Sequence, residues 1–204
     1  MPPNQLIIFV KAPRPGLVKT RLAADLGPAE AASAYRTLVG TLLRNLHDLP
    51  QLELHFTPDD ALEDIRHWLK SGWTAKPQCA GDLGRRLQTA FSTAFASGSQ
   101  KVVIIGSDCP SVGLANVRAA WEGLSSHDAV IGPAADGGYW LIGLRQPCEK
   151  LFLNMPWSTP AVLQETLQRC RANGLQVLLL DEMSDVDTKE DWQAFLQSLV
   201  SPHV

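Results

Sequence analysis

Short apolar runs alternate along the chain with longer stretches whose apolar positions recur every three or four residues. Gln5–Val10 (QLIIFV) is apolar on both faces, as a buried strand requires, and a Pro/Gly-rich loop, Lys11–Val18, follows it. The pattern then predicts a helix over Ala29–Leu49, opened by Pro28 near its first turn, and a strand at Leu52–Phe56. Asp59–Lys70 starts with acids and ends with bases, the order a helix dipole favours. Leu83, Leu87, Phe91 and Phe95, four apart, place a helix over Asp82–Ala96. Lys101–Gly106 (KVVIIG) is a second strand apolar on both faces. Beyond it the spacing predicts a helix at Leu114–Leu124, strands at Ala129–Gly132 and Tyr139–Leu144, and a helix at Thr159–Ala172. A strand at Val177–Leu180 and a helix at Thr188–Leu199 close the chain.

This order is that of an α/β layer fold with a mostly parallel sheet. The two strands flanking Pro133–Gly138 have no helix between them, so one of the pair is expected to run antiparallel. No repeat or low-complexity linker divides the chain, and 204 residues fit one domain spanning 1–204. Ligands of such sheets sit beyond the carboxyl ends of the strands, so the loops after strands are where chemistry is expected.

Composition narrows the partners. A net charge of −3 argues against nucleic acid, which calls for a basic face. No apolar run approaches the roughly 20 residues that span a bilayer. The opening Met1-Pro-Pro-Asn-Gln lacks the charged segment of a signal peptide. Cys79, Cys109, Cys148 and Cys170 are scattered without a C-x-x-C pair, and the five histidines show no metal spacing. A disulfide scaffold and a zinc site are therefore not expected, and a reducing cytoplasm is. Charge is uneven along the chain. Residues 1–21 hold Lys11, Arg14, Lys19 and Arg21 and no acid, whereas residues 181–191 hold six acids against Lys189 alone. A fold that joins the two ends sets basic groups against acidic ones across a site.

Four stretches carry candidate chemistry. In Phe9–Leu22 a buried strand runs into a loop with four cations. Helix amides and cations converging there would suit a polyanion, and Gly16, next to Pro15, lets a phosphate approach the backbone. Neither a P-loop nor a Rossmann fingerprint is present; the plain alternative is a solvated basic loop. In Ile104-Ile-Gly-Ser-Asp-Cys-Pro-Ser111, Asp108 directly follows a strand, where a hard cation and phosphate oxygens would be held; otherwise it caps a helix. Cys109 reads as a packed residue. In Gly132–Gly143 the paired Gly137 and Gly138 let substrate pass the backbone, with Asp136 and Tyr139-Trp140 at the same edge; a hairpin turn is the other reading. In Ser184–Trp192 a capping box accounts for Thr188, Glu190 and Asp191 but leaves Asp185 and Asp187 facing one way. Asp108 and Asp187 would share a metal if their loops meet. Two further stretches, Ala80–Leu87 with Asp82 and Pro156-Trp-Ser-Thr-Pro160, open helices beside these loops and could touch base, ribose or acceptor.

Together the strings KAPRPGLVKTRLA, GDLGRRL, IGSDCP, GPAADGGYWLIGL, PWSTPAVLQETL and DVDTKEDW resemble the DUF2064 family of the GT-A superfamily. Members are commonly described as glycosyltransferases associated with radical-SAM or selenodomain proteins, sometimes linked to arsenosugar biosynthesis. The chain is similar, more distantly, to molybdopterin-cofactor and phospholactate nucleotidyltransferases. The resemblance implies a GT-A-like (nucleotide-diphospho-sugar transferase) three-layer sandwich with a mixed, mostly parallel seven-stranded sheet, and Mg²⁺ or Mn²⁺ as cofactor. It implies Lys19 and Arg21 on the phosphates, with Asp108 and Asp187 as metal ligands. Further nucleotide contacts are expected from Lys11, Pro15, Gly16, Asp82, Gly137 and Gly138, and Asp136 is the candidate general base. Arg85 departs from the family pattern, which has an acid there, and G-S-D-C-P holds one aspartate rather than D-x-D. The expected activity is metal-dependent glycosyl transfer from a nucleotide-sugar to a small-molecule acceptor. The alternatives are nucleotidyl transfer to a phosphorylated metabolite and a non-catalytic nucleotide-binding regulator.

Overall fold

Seven strands form one sheet in the computed structural model, which describes residues 4–200. They are β1 (Asn4–Lys11), β2 (Leu52–Thr57), β3 (Trp73–Pro77), β4 (Lys101–Ile105), β5 (Ala129–Pro133), β6 (Tyr139–Leu144) and β7 (Val177–Leu179). Their order across the sheet is β3-β2-β1-β4-β6-β5-β7. All neighbours run parallel except β6, which lies antiparallel between β4 and β5. The antiparallel strand expected around Pro133–Gly138 is therefore β6. The segment the periodicity missed is β3. It is a five-residue edge strand whose Thr74, Lys76 and Pro77 hide the strand signal, and Pro is at home only on such an edge.

Helices cover both faces. On one, α2 (Pro28–Asn45) and α5 (Leu114–Gly123) bury Val39, Leu42, Val117 and Ala120 against Leu6, Ile8 and Val10 of β1. On the other, α4 (Leu83–Ala96) and α6 (Val162–Ala172) bury Leu87, Phe91 and Cys170 around Ile7, Ile104 and Ile142. The alternation of β1 side chains between these two cores explains why it reads as apolar throughout. Two helices lie outside the three layers: α1 (Thr20–Leu26) and α7 (Lys189–Val200) meet α2 through Leu22, Ala31, Ala34 and Trp192. The helix expected over Asp59–Lys70 is shorter, α3 (Leu62–Ile65), running into a 3₁₀ turn at Arg66–Trp68. No described helix is long and apolar enough to cross a membrane.

One buried polar cluster ties β1, β2 and β3 together away from the ligand edge. Glu53 accepts from Gln5 at 3.2 Å, pairs with His55 at 2.8 Å and meets Lys76 at 2.8 Å. Burial pushes its carboxyl up, but bonds from His55 and Lys76 outweigh that and hold it at about 2. A carboxyl so depressed stabilises the fold fully above its unfolded value near 4.5 and loses that contribution as pH falls through about 2. Glu53→Gln is therefore expected to cost on the order of 2–3 kcal/mol at neutral pH, with the gap to the native protein closing between about pH 4.5 and 2. Urea midpoints measured down that range check it; a gap that stays constant with pH contradicts it.

Candidate active site

Loops from β1, β4, β6, α6 and β7 meet at the carboxyl edge around a cleft of about 740 Å³. The first loop is pinned before it reaches the cleft. Ala12 N donates to Thr57 O at 2.8 Å, and Arg14 pairs with Asp60 at 3.0 Å and Asp64 at 2.7 Å. Arg14 thus faces the α3 segment rather than the cleft, and it is absent from the residues that line the cleft. Pro15 and Gly16 lie exposed and do not line the cleft.

The loop ends at Lys19, which precedes α1 in the left-handed region with φ 47° and ψ 50°. Such a conformation costs a non-glycine residue about 1–3 kcal/mol. It turns the side chain inward, to 2 % exposure, and sets Nζ 2.5 Å from Asp108 Oδ1 and 2.9 Å from Asp187 Oδ1. Burial works against the ammonium charge, but Asp108 and Asp187 outweigh it and hold Lys19 above the ordinary lysine range. Arg21, 75 % exposed, meets Asp187 at 3.8 Å, a longer and more solvated pair than those of Lys19.

Asp108 is placed by β4 and a staple that pattern reading did not reveal. Tyr35 of α2 accepts from Lys11 N at 2.9 Å and shares a 2.8 Å hydrogen bond with Ser107, joining the ends of β1 and β4. Burial, then the charge of Asp108, drives this phenol far above its usual range, so it stays neutral. Its spacing among Ala31, Ala32, Leu38 and Val39 is that of a core residue, so only its lone hydroxyl hinted at this role. The Asp108 carbonyl accepts from Val186 N at 2.9 Å, which brings the two acidic loops together. Asp191 then accepts from Asp187 N, Thr188 N and Thr188 Oγ1, while Thr188 Oγ1 accepts from Asp191 N at 3.2 Å. This reciprocal cap orients Asp187. Asp185 lies alongside, its carboxyl pushed up to about 7 by burial first and then by Asp108, against the opposing pull of Lys19. Burial also raises the Cys109 thiol, as befits a packed residue rather than a nucleophile. Among the described residues no three His, Cys, Asp or Glu side chains form a metal cluster, so a cation here would rest on the Asp108–Asp187 pair plus ligand oxygens.

The far wall comes from the Asp136 turn. Gly138 N donates to Asp136 Oδ1 at 2.8 Å, and both residues line the cleft. Gly137 does not; it packs against the turn before α6. It sits at φ 87°, its carbonyl accepts from Leu163 N at 2.9 Å, and a Cβ would fall 2.4 Å from Pro160 O. Trp157, Ser158, Thr159 and Pro160 of that turn also line the cleft. Asp82 caps α4 through Arg85 N at 2.9 Å and stays outside, as does Arg85 itself; Leu83, Arg86 and Leu87 are the α4 residues that reach in. Arg86 meets Gln78 at 3.3 Å, and Gln78 in turn donates to His55 O and Val10 O. The structure thus gathers Lys11, Lys19, Arg21, Asp108, Asp136, Gly138 and Asp187 and leaves Pro15, Gly16, Asp82 and Gly137 as supports.

The mixed seven-stranded sheet is shared with solved structures named as a nucleotide-diphospho-sugar transferase and a cytidylyltransferase. The chain belongs to the DUF2064 family, described as uncharacterized proteins conserved in bacteria, whose family model matches residues 42–159. A solved structure from Desulfovibrio desulfuricans G20, named as a candidate nucleotide-diphospho-sugar transferase, is 36% identical with a TM-score of 0.90, covering 99% of this chain and 90% of that one. Two more distant structures share the fold. One is CMP:2-keto-3-deoxy-manno-octonic acid synthetase complexed with CTP, at 9% identity, TM-score 0.58 and 97% and 98% coverage of the two chains. The other is Rv0371C of Mycobacterium tuberculosis H37Rv in complex with manganese, at 16% identity, TM-score 0.52 and 95% and 99% coverage. No curated protein matches the chain in sequence.

Proposed function

We propose that this protein is a metal-dependent glycosyltransferase that takes an NDP-sugar and passes the sugar to a small-molecule acceptor. The observation that carries the reading is the position of Lys19 Nζ. Two carboxylates from loops far apart in sequence converge on one cationic atom, beside the exposed Arg21, which meets Asp187 only at 3.8 Å. That ammonium stands in for a divalent cation, so the residues present fit Mg²⁺ or Mn²⁺, and Asp108 and Asp187 would hold it. A bound metal would neutralise charge building on the leaving diphosphate.

The chain's own groups supply the rest. Lys19 and Arg21 bind the diphosphate oxygens and stabilise them as the bond to the sugar breaks. Gly138 gives backbone clearance beside the transferred group. Asp136, held by Gly138 N with its second oxygen free, takes the proton of the acceptor hydroxyl. The 36%-identical relative's name supports the nucleotide-sugar donor.

Nucleotidyl transfer to a phosphorylated metabolite is the second reading. A row of cations, Lys11, Lys19, Arg21 and Arg86, lines the cleft, and the CTP-bound synthetase shares the fold. The commitment of Arg14 to Asp60 and Asp64 removes one of the cations that a triphosphate would use.

Thermal shift against a panel of NTPs, NDPs and NDP-sugars, with and without Mg²⁺, tests the proposal. A ligand at 100 times its dissociation constant stabilises by about 2.7 kcal/mol. The expected result is Mg²⁺-dependent stabilisation by one NDP-sugar and its parent NDP. Stabilisation by NTPs alone would move the assignment to the second reading.

A further inference from the structure

The sheet ends in two edges of opposite character. At β3 the edge carries Lys76 and Pro77, whose charge and missing N–H discourage another strand from adding there. The β7 edge has no such guard. Val177–Leu179 is apolar throughout, Leu175 and Leu180 beside it are apolar too, and Leu179 is 47 % exposed. An uncharged apolar edge open to water invites a further strand, and only the shortness of β7 limits what such pairing gains.

Alternation along the strand tells which backbone groups are open. Gln176 O accepts from Ala129 N at 3.1 Å and Leu180 N donates to Ile131 O at 2.9 Å, so the even-numbered residues face β5. The N–H and C=O groups of Val177 and Leu179 therefore point away from the sheet. Side chains divide as well: Leu175 and Val177 pack into the core under α6, Leu178 and Leu180 into the core under α5. Charges at the two ends of the strand are opposite in sign. Exposed Arg171 stands at the end of α6 before β7, and exposed Asp181 and Glu182 follow β7. Arg169 is taken by Glu165 at 2.7 Å, but Arg171, Asp181 and Glu182 have no ion-pair partner among the described residues.

We propose that β7 pairs antiparallel with β7 of a second copy of this chain, about a two-fold axis through Leu178, joining the two sheets into one. A second copy is the occupant because this segment is complementary to itself. In that register Val177 lies opposite the partner's Leu179, and Leu179 opposite the partner's Val177, so every outward N–H and C=O finds a mate. The same pairs cover the exposed Leu179 side chains on the α6 face of the sheet. Antiparallel pairing also brings Asp181 and Glu182 at the end of one strand beside Arg171 at the start of the other. A parallel pairing would set like charges side by side. The contact is isologous and closes at two copies. It stands independently of the nucleotide reading.

Sedimentation velocity of the intact protein, from low micromolar to near-millimolar concentration, should show a monomer–dimer equilibrium. Amide hydrogen exchange should find the Val177 and Leu179 N–H groups protected at the dimeric end of that range and fast at the monomeric end. Leu179→Lys should raise the dissociation constant by about tenfold or more with an unchanged melting temperature. Should the lysine variant melt early, Leu179→Pro, which deletes an outward N–H and no bond to β5, carries the same expectation. Arg171→Glu should weaken the dimer, and adding Asp181→Lys and Glu182→Lys to the same chain should restore it. A chain that stays monomeric throughout the range overturns the proposal. So does a dimer whose Val177 and Leu179 amides stay unprotected, or one indifferent to the Leu179 variants; either would put the interface on another face, such as exposed Leu196, Leu199 and Val200 of α7. A charge exchange that fails to restore the dimer would overturn the antiparallel register.

Discussion

Asparagine in place of Asp108 is expected to lower turnover by roughly 10²–10³-fold, the scale seen when one preorganised electrostatic contact to a transition state is removed. The loss should appear without unfolding. The Asp108 side chain is 46 % exposed, and the contact that joins its loop to the next is made by its backbone carbonyl with Val186 N. Asparagine keeps the shape and the carbonyl while deleting the charge that a divalent cation would need. Steady-state kinetics beside a thermal melt checks the pair of expectations. A variant with native turnover would remove Asp108 from the site, and one that fails to fold would make it structural.

Lys19→Met is expected to act in opposite directions on the two ligands. Loss of a charge-assisted contact should weaken nucleotide binding by about 1.5–3 kcal/mol, roughly ten- to 150-fold. In the nucleotide-free protein the same change should tighten Mn²⁺ binding, because the ammonium now occupies the point where Asp108 and Asp187 converge. The two effects are linked. A phosphate chain that draws Lys19 away uncovers the carboxylates, so nucleotide should raise metal affinity and metal should raise nucleotide affinity by the same factor. Electron paramagnetic resonance of free Mn²⁺, with and without nucleotide, reads both. Weaker Mn²⁺ binding by the nucleotide-free variant would contradict this account of Lys19.

Much of this arrangement was legible in the residues. Gln5–Val10 and Lys101–Gly106 announced the central strands because both their faces are buried, and the missing helix around Pro133–Gly138 announced the antiparallel β6. The charge division between the first and last loops anticipated Lys19 meeting Asp187. What stayed hidden was set by contacts distant in sequence. Edge strand β3 is too short and polar to show a period. The turn into α1 depends on a left-handed Lys19 that no pattern encodes. Tyr35 and Gln78 look like a core residue and a loop residue until the chain ends they bridge are seen together. Gly16 and Gly137 are expected as ligand contacts because a glycine marks backbone freedom, and the structure places both outside the residues that line the cleft. Gly137 is needed to clear Pro160, and Gly16 simply turns the chain.

Phosphorus NMR of the reaction products bears most directly on the central claim. With Mg²⁺, an NDP-sugar and an acceptor alcohol, the account predicts free NDP as the phosphorus product and no pyrophosphate from any NTP paired with a sugar phosphate. Both the NDP signal and its Mg²⁺ dependence should disappear in Asp108→Asn. Pyrophosphate released from an NTP and a phosphorylated metabolite, dependent on Mg²⁺ and lost in Asp108→Asn, would show the same cleft to be that of a nucleotidyltransferase.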